Sequence, residues 1–228
     1  MRTIVIGNSI VRKLVDPDWT TICIPGADWY DLISYVFDHH ERFCSSIVYV
    51  HIGPVRFSQL IKTTSSRECR IKPRIELPRI NYMFRDWLEH LIKYDIYPVV
   101  CTVYPMCFRR YNKHLGVRIN HHNADMFDSL TRKIKDFTVC ENRDIVDFNV
   151  SNNFITPYMH RKIYTRRRGA YAFRDQFLSD GLHPDERVIN DWKREIKRVD
   201  CENRLRTQRI HCRRTERRNR RVHQSRGV

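Results

Sequence analysis

The chain has 228 residues, 41% of them hydrophobic, enough for one domain with a buried core. Its formal net charge of +16, from 42 Lys and Arg against 26 Asp and Glu, points toward anionic partners. Eight cysteines without a C-x-x-C pair argue against a disulfide scaffold or a zinc site, and no apolar run reaches the ~18 residues of a membrane span.

In chain order, runs of β-branched and apolar residues predict strands at Thr3–Ile6, Thr20–Ile24, Ile47–Ile52 and Tyr97–Val103, with a shorter fifth at Ile145–Phe148. Between them lie helical spacings. Trp29, Leu32, Ile33, Val36 and Phe37 share one face, as do Met83, Trp87, Leu88 and Leu91, and Met126, Leu130, Ile134 and Phe137. Val188, Trp192, Ile196 and Val199 make a last helix, preceded by Pro184, Asp185 and Glu186 as a helix start prefers. Strand and helix alternate throughout. The expected fold class is therefore α/β, a three-layer α/β/α sandwich around a five-stranded parallel sheet. Ligands of such sheets bind beyond the carboxyl ends of the strands.

Two long connections, residues 54–79 and 149–179, leave from that carboxyl edge. The second contains HRKIYTRRRGAYAF, where Tyr164 and Tyr171 flank Arg166, Arg167 and Arg168. These arginines are either an anion-binding loop over a site or a solvated loop. The last 28 residues hold ten Arg and two Glu and show no apolar period, so residues 1–200 are expected to form the domain and 201–228 a disordered basic tail. In that tail Arg213, Arg214, Arg217, Arg218, Arg220 and Arg221 have the character of phosphate contacts to DNA or RNA, of a nuclear-localisation segment, or of a solubilising tail.

Only seven glycines are present, and Gly7, Gly26 and Gly53 each follow one of the first three predicted strands. Such a glycine permits a tight turn or close approach of a ligand to a backbone N–H. Gly7 opens Gly7-Asn8-Ser9, in which Ser9 is either a nucleophile on a strand-to-helix turn or a helix cap. Far along the chain, SDGLHPDE places Asp180 three residues before His183. At that spacing a carboxylate can hold an imidazole through Nδ1–H and leave Nε2 facing a hydroxyl.

These blocks together resemble the SGNH/GDSL hydrolases over about residues 1–199. Gly7-Asn8-Ser9 matches the G-D-S block with Asn for Asp, Pro25-Gly26-Ala27 the glycine block after the second strand, and Asp180-Gly181-Leu182-His183 the closing D-x-x-H. The resemblance implies a flavodoxin-like sandwich and a serine esterase or deacylase. Ser9 would be the nucleophile, His183 its base and Asp180 the orienting carboxylate. The backbone N–H groups of Ser9 and Gly26 would hold the oxyanion. TVYPM (102–106) is similar to the family's T-x-x-P segment. The third block departs: where the family carries an oxyanion-binding Asn, HIGPVRF has Val55. Arg56, one residue on, is either a replacement donor and anion anchor or an ordinary surface arginine. The same fold is found fused to nucleic-acid-binding segments in some retroelement and viral proteins, which this basic chain resembles.

Two functions follow as alternatives. One is an ester hydrolase acting on an unidentified acyl or acetyl ester, without cofactor or metal, since no nucleotide-binding glycine motif is present. The other is a catalytically degenerate member of the fold that binds nucleic acid or another partner through its tail. The apolar run of MRTIVIGNS breaks at Gly7 and Asn8, so no secretion signal is read, and a cytoplasmic or nuclear location is expected.

Overall fold

A computed structural model describes residues 1–62, 67–73, 80–167 and 170–225, with side chains at all of these except 55, 80–83, 86, 164–167, 170–172, 211 and 213–225. The strands are β1 (Arg2–Gly7), β2 (Thr20–Cys23), β3 (Ser46–His51), β4 (Ser58–Lys62), β5 (Arg67–Ile71), β6 (Ile96–Val100), β7 (Tyr164–Arg167) and β8 (Ala170–Phe173). The helices are α1 (Trp29–Asp38), α2 (His40–Phe43), α3 (Ile80–Leu91), α4 (Phe108–His114), α5 (His121–Ser151) and α6 (Glu186–Ser225).

β2, β1, β3 and β6 form one parallel sheet in that order. β3 and β6 are buried at every position, as strands covered on both faces must be, which explains their unbroken apolar runs. The chain leaves β1 toward β2 on one side and returns to β3 on the other. The order therefore reverses between β1 and β3, and a crevice opens beyond their carboxyl ends. Gly7 and His51 end these two strands and pair with each other in register.

The sheet has four strands, not the expected five. Ile145–Phe148 lies inside α5, whose buried positions Phe127, Thr131, Ile134, Thr138, Glu141, Ile145 and Phe148 recur every three or four residues. The predicted strand was an apolar cluster too short to reveal its period. α5 does part of the missing strand's work on the β6 edge. Asn149 accepts from the Val100 N–H (3.0 Å) and donates to its carbonyl (2.7 Å). Asn142 treats Val103 in the same way, at 2.7 and 2.9 Å. Buried backbone groups are thus satisfied by side-chain amides.

Two cores lie on the two faces of the sheet. Trp29, Leu32 and Val36 of α1 and Phe84, Leu88 and Leu91 of α3 pack on Ile4, Ile6, Val48 and Val50. Val188, Trp192, Ile196 and Val199 of α6 pack on Val5, Ile47, Tyr49 and Val99. Both long connections contain antiparallel hairpins, β4–β5 and β7–β8.

The expected boundary at residue 200 falls inside α6. Asn203 and Thr207 are fully buried. Asn203 exchanges hydrogen bonds with the Ile155 backbone (2.7 and 3.1 Å), and Arg204 binds Asp200 (2.6 Å) and the Thr3 hydroxyl (2.6 Å). These contacts are polar, so a search for apolar periodicity passes over them. Ile210 still packs on the core, and the helical backbone continues to Ser225 where a disordered tail was expected. Among the described residues no helix is long and apolar enough to cross a membrane.

Candidate active site

The crevice between β1 and β3 is shaped by close backbone approach. A Cβ at Gly7 would collide with the His51 carbonyl oxygen, and one at Gly53 with the Ile10 side chain. Only glycine lets these two turns touch. Between them Asn8 is buried and caps a 3₁₀ turn, Ser9–Lys13. Its Oδ1 accepts from the Ile10 N–H (3.2 Å) and from the Gly53 N–H (3.4 Å), joining the first and third turns. Asn8, not Ser9, is therefore the cap. The Ser9 hydroxyl makes no hydrogen bond among the described residues.

The second turn is built by Pro25-Gly26. The Ala27 N–H bonds to the Ile24 carbonyl (3.2 Å), and Gly26 has φ 78°, as the third position of a type II turn requires. Neither the Ser9 N–H nor the Gly26 N–H donates to another group among the described residues.

The Asp180–His183 turn is held rigidly. Asp180 Oδ1 accepts from the N–H groups of Leu182 (2.8 Å) and His183 (2.7 Å), and Oδ2 accepts from His183 Nδ1 at 2.7 Å. Since an ionised carboxylate only accepts, Nδ1 carries a proton, and Nε2 makes no hydrogen bond among the described residues. Partial burial pushes the Asp180 carboxyl up. The hydrogen bonds from the His183 ring, the His183 N–H and the Leu182 N–H outweigh it and hold the group well below the usual carboxylate range. Gly181, at φ 93°, lies against α4: an added Cβ would stand 2.6 Å from the Tyr111 nitrogen and 2.7 Å from the Cys107 oxygen. The Cys107 N–H donates to the Gly181 carbonyl (2.8 Å) and the Tyr104 hydroxyl to that of Leu182 (2.9 Å).

Ser9, Asp180 and His183 line one cleft of about 330 Å³, together with Ile10, Pro184 and Ile189. Residues 171 positions apart in sequence thus meet beyond the carboxyl end of β1. At the end of β3, His51 is buried edge-to-face against Trp192 (4.9 Å), and burial lowers its pKa to about 3, so it stays neutral.

The other sequence candidates lie elsewhere. Arg56 does not line this cleft. Its Nη1 pairs with Glu141 of α5 at 2.8 Å, and its guanidinium covers the Phe57 ring. Glu141 also accepts from Trp29 Nε1 (2.8 Å). Burial pushes the Arg56 guanidinium down and the Glu141 carboxyl up, and each opposes the other's shift. Arg56 is thus neither a surface arginine nor a group of this cleft, but half of a buried ion pair. The side chain of Val55 lies outside the described residues, as do those of Arg166 and Arg167, whose backbone belongs to β7, and the whole of Arg168. Arg213, Arg214, Arg217, Arg218, Arg220 and Arg221 follow the α6 backbone, and their side chains are likewise outside the described residues. Tyr104 and the α4 backbone, which fix the Asp180–His183 turn, were not singled out as site residues. TVYPM was the one signal pointing to Tyr104.

This fold has counterparts among solved structures. A Bacteroides fragilis protein assigned as an acylhydrolase superposes with a TM-score of 0.59 at 13% identity, over 89% of this chain and 87% of that chain. A GDSL-like lipase from Bacteroides thetaiotaomicron gives 0.57 at 15% identity, over 86% of each. A member of the lipolytic G-D-S-L family from Veillonella parvula gives 0.50 at 11%, over 87% of this chain and 97% of that one. The fold is that of the GDSL acylhydrolases. No family model matches the sequence, and no curated protein matches it.

Proposed function

We propose that the protein is a serine esterase or deacylase acting through Ser9, His183 and Asp180. One observation supports this reading: the Asp180–His183 pair, with Nδ1 engaged by the carboxylate, lines the same cleft as Ser9. Ser9 Oγ attacks the ester carbonyl, and His183 Nε2 takes its proton. Asp180 holds the ring and stabilises the imidazolium. The tetrahedral intermediate collapses, the alcohol leaves with the proton from His183, and the acyl group stays on Ser9. Water, deprotonated by His183, then releases the carboxylic acid and restores the hydroxyl. The N–H groups of Ser9 and Gly26 are the oxyanion donors. The cleft volume lies at the low end of the ~300–1,000 Å³ usual for ligand pockets, which favours a short acyl group. Val55 supplies no side-chain donor, and a missing oxyanion donor costs about 10²–10³ in turnover, so a slow esterase is expected.

The test is covalent labelling with a fluorophosphonate, alongside hydrolysis of 4-nitrophenyl acetate and butyrate. Label on Ser9, lost together with hydrolysis in Ser9→Ala, is the expected result. Folded protein that neither labels nor hydrolyses would remove the reading.

A second reading concerns the end of α6. Residues 211–228 hold seven Arg and one Glu, beyond Ile210, the last core contact among the described residues. We read this segment as a phosphate-contacting arm for a nucleic-acid strand. Deleting 211–228 should abolish salt-sensitive binding to single-stranded RNA or DNA, and binding that survives would place the nucleic-acid surface elsewhere. A cut at 201 would be uninformative, because it also removes the docked Asn203, Arg204 and Thr207.

A further inference from the structure

The Ser9 cleft carries two cations. Arg12 and Lys13 sit on the same 3₁₀ turn as Ser9, and both line the cleft. Both are exposed, and among the described residues neither pairs with a carboxylate. The nearby acids are taken. Asp16 and Asp18 bind Lys197 at 3.1 and 2.7 Å, and Asp185 binds Arg187 at 2.5 Å. Asp180 is the one carboxylate among the described lining residues, and His183 and two backbone N–H groups occupy it.

Some cations of this basic chain are paired, Arg56 with Glu141, Arg70 with Glu68, Arg198 with Glu195 and Arg204 with Asp200, and others are not. Arg12 and Lys13 are distinguished by place: they are the two cations among the described residues that line the cleft beside the Ser9 hydroxyl. A second groove that reaches Asp175 repeats the sign. Its volume is about 710 Å³, and it is lined by Arg109, Arg110, Lys113 and Arg118 against Asp128 and Asp175. Arg109 pairs with Asp128 at 3.5 Å and Arg110 donates to the Asp175 carbonyl, whereas Lys113 and Arg118 meet no carboxylate among the described residues. Cations without carboxylate partners at both places favour anions near the Asp175–His183 segment. A guanidinium and an ammonium together suit an oxyanion: the first binds two oxygens in a fork, the second acts as a point charge.

We infer that the cleft takes an ester bearing an anionic group, phosphate or carboxylate, close to the scissile bond, with that group held by Arg12 and Lys13. The inference rests on the Ser9–His183–Asp180 reading for its chemistry. The bond broken is unchanged, and the anionic group takes no part in proton transfer. It sets which ester enters and how it lies.

The probes are 1-butyrylglycerol and 1-butyrylglycerol 3-phosphate, with butyrate release followed by pH-stat. The phosphate ester should be preferred by about tenfold in kcat/KM, mostly through KM, with the preference shrinking as NaCl rises. Arg12→Ala/Lys13→Ala should bring the ratio near one. Arg132→Ala/Lys133→Ala, which removes the same charge from exposed α5, should keep the preference. A second arm offers the same headgroup as phosphatidic acid in vesicles. Turnover there assigns the anion to a lipid surface, turnover confined to the soluble ester assigns it to a free metabolite, and either supports the inference. A ratio near one in the wild type, or equal collapse in the α5 control, overturns it. If neither ester is hydrolysed, calorimetry of glycerol 3-phosphate with the Ser9→Ala protein separates the two readings. Binding that Arg12→Ala/Lys13→Ala abolishes keeps the anion site while the esterase reading falls, and no binding overturns the site as well.

Discussion

His183 donates Nδ1–H to Asp180 Oδ2 at 2.7 Å, and the same carboxylate, through Oδ1, also holds the His183 backbone N–H. Ring and main chain are tied to one group, so the imidazole has little freedom to turn.

Replacing Asp180 by Asn should lower kcat on the order of 10⁴-fold while leaving the fold intact, because the amide permits the wrong tautomer. Steady-state kinetics on 4-nitrophenyl acetate would check this. The pair also carries a pH signature. The Asp180 carboxyl is depressed in the fold, so its stabilisation is present above the unfolded value of about 3.9 and is lost as pH falls through the lower folded value. The urea-unfolding gap between wild type and Asp180→Asn should therefore be widest near neutral pH and close on acidification. A gap that grows in acid would contradict the shift.

Asn8 offers a cleaner separation of turn from chemistry. Asn8→Ala leaves the buried Ile10 and Gly53 N–H groups without an acceptor, at about 1–3 kcal/mol each. It should lower both stability and turnover. Asn8→Asp keeps the oxygen and should behave much like wild type. Denaturant midpoints read beside kcat would distinguish the two, and equal damage from both changes would refute the acceptor role.

Arg56 and Glu141 should behave as a brace. Removing one partner, as in Arg56→Met or Glu141→Leu, leaves a charge in the core and should cost roughly 3–5 kcal/mol. The double substitution should recover most of that loss. Turnover per folded molecule should change little in the double variant. A large loss of turnover with recovered stability would return Arg56 to the site.

Asn149→Ala should cost about 1–3 kcal/mol for each backbone group of Val100 left unpaired. Hydrogen exchange at the Val100 amide would report it directly: faster exchange is expected, and unchanged protection would mean another group satisfies that edge.

Asn149 also marks where the sequence ceased to be legible. Strands β1, β3 and β6 announce themselves because burial on both faces leaves unbroken apolar runs. The glycines at 7, 26 and 53 and the Asp180–His183 spacing point to the cleft through local backbone chemistry. What stayed hidden depends on polar side chains turned inward. Asn142 and Asn149 finish a sheet edge from a helix, Asn203 and Thr207 dock a segment that reads as a tail, and Glu141 draws Arg56 away from the cleft. Hydropathy scores all of these as surface. The cap reading of Ser9 falls to its neighbour, because Asn8 holds the cap, a role that spacing does not reveal.

α6 starts three residues after His183 and continues unbroken for 40 residues, from Glu186 to Ser225. At 1.5 Å per residue that is about 60 Å, well beyond the sheet it packs on. A string of arginines on a floppy chain would sweep a volume and keep its cargo at no fixed distance. On a helix that starts beside the Asp180–His183 turn, the arginine positions become the far mark of a ruler. Inserting three or four residues near position 211 would move that mark by one turn, so spacing itself becomes a property that a single small insertion can alter.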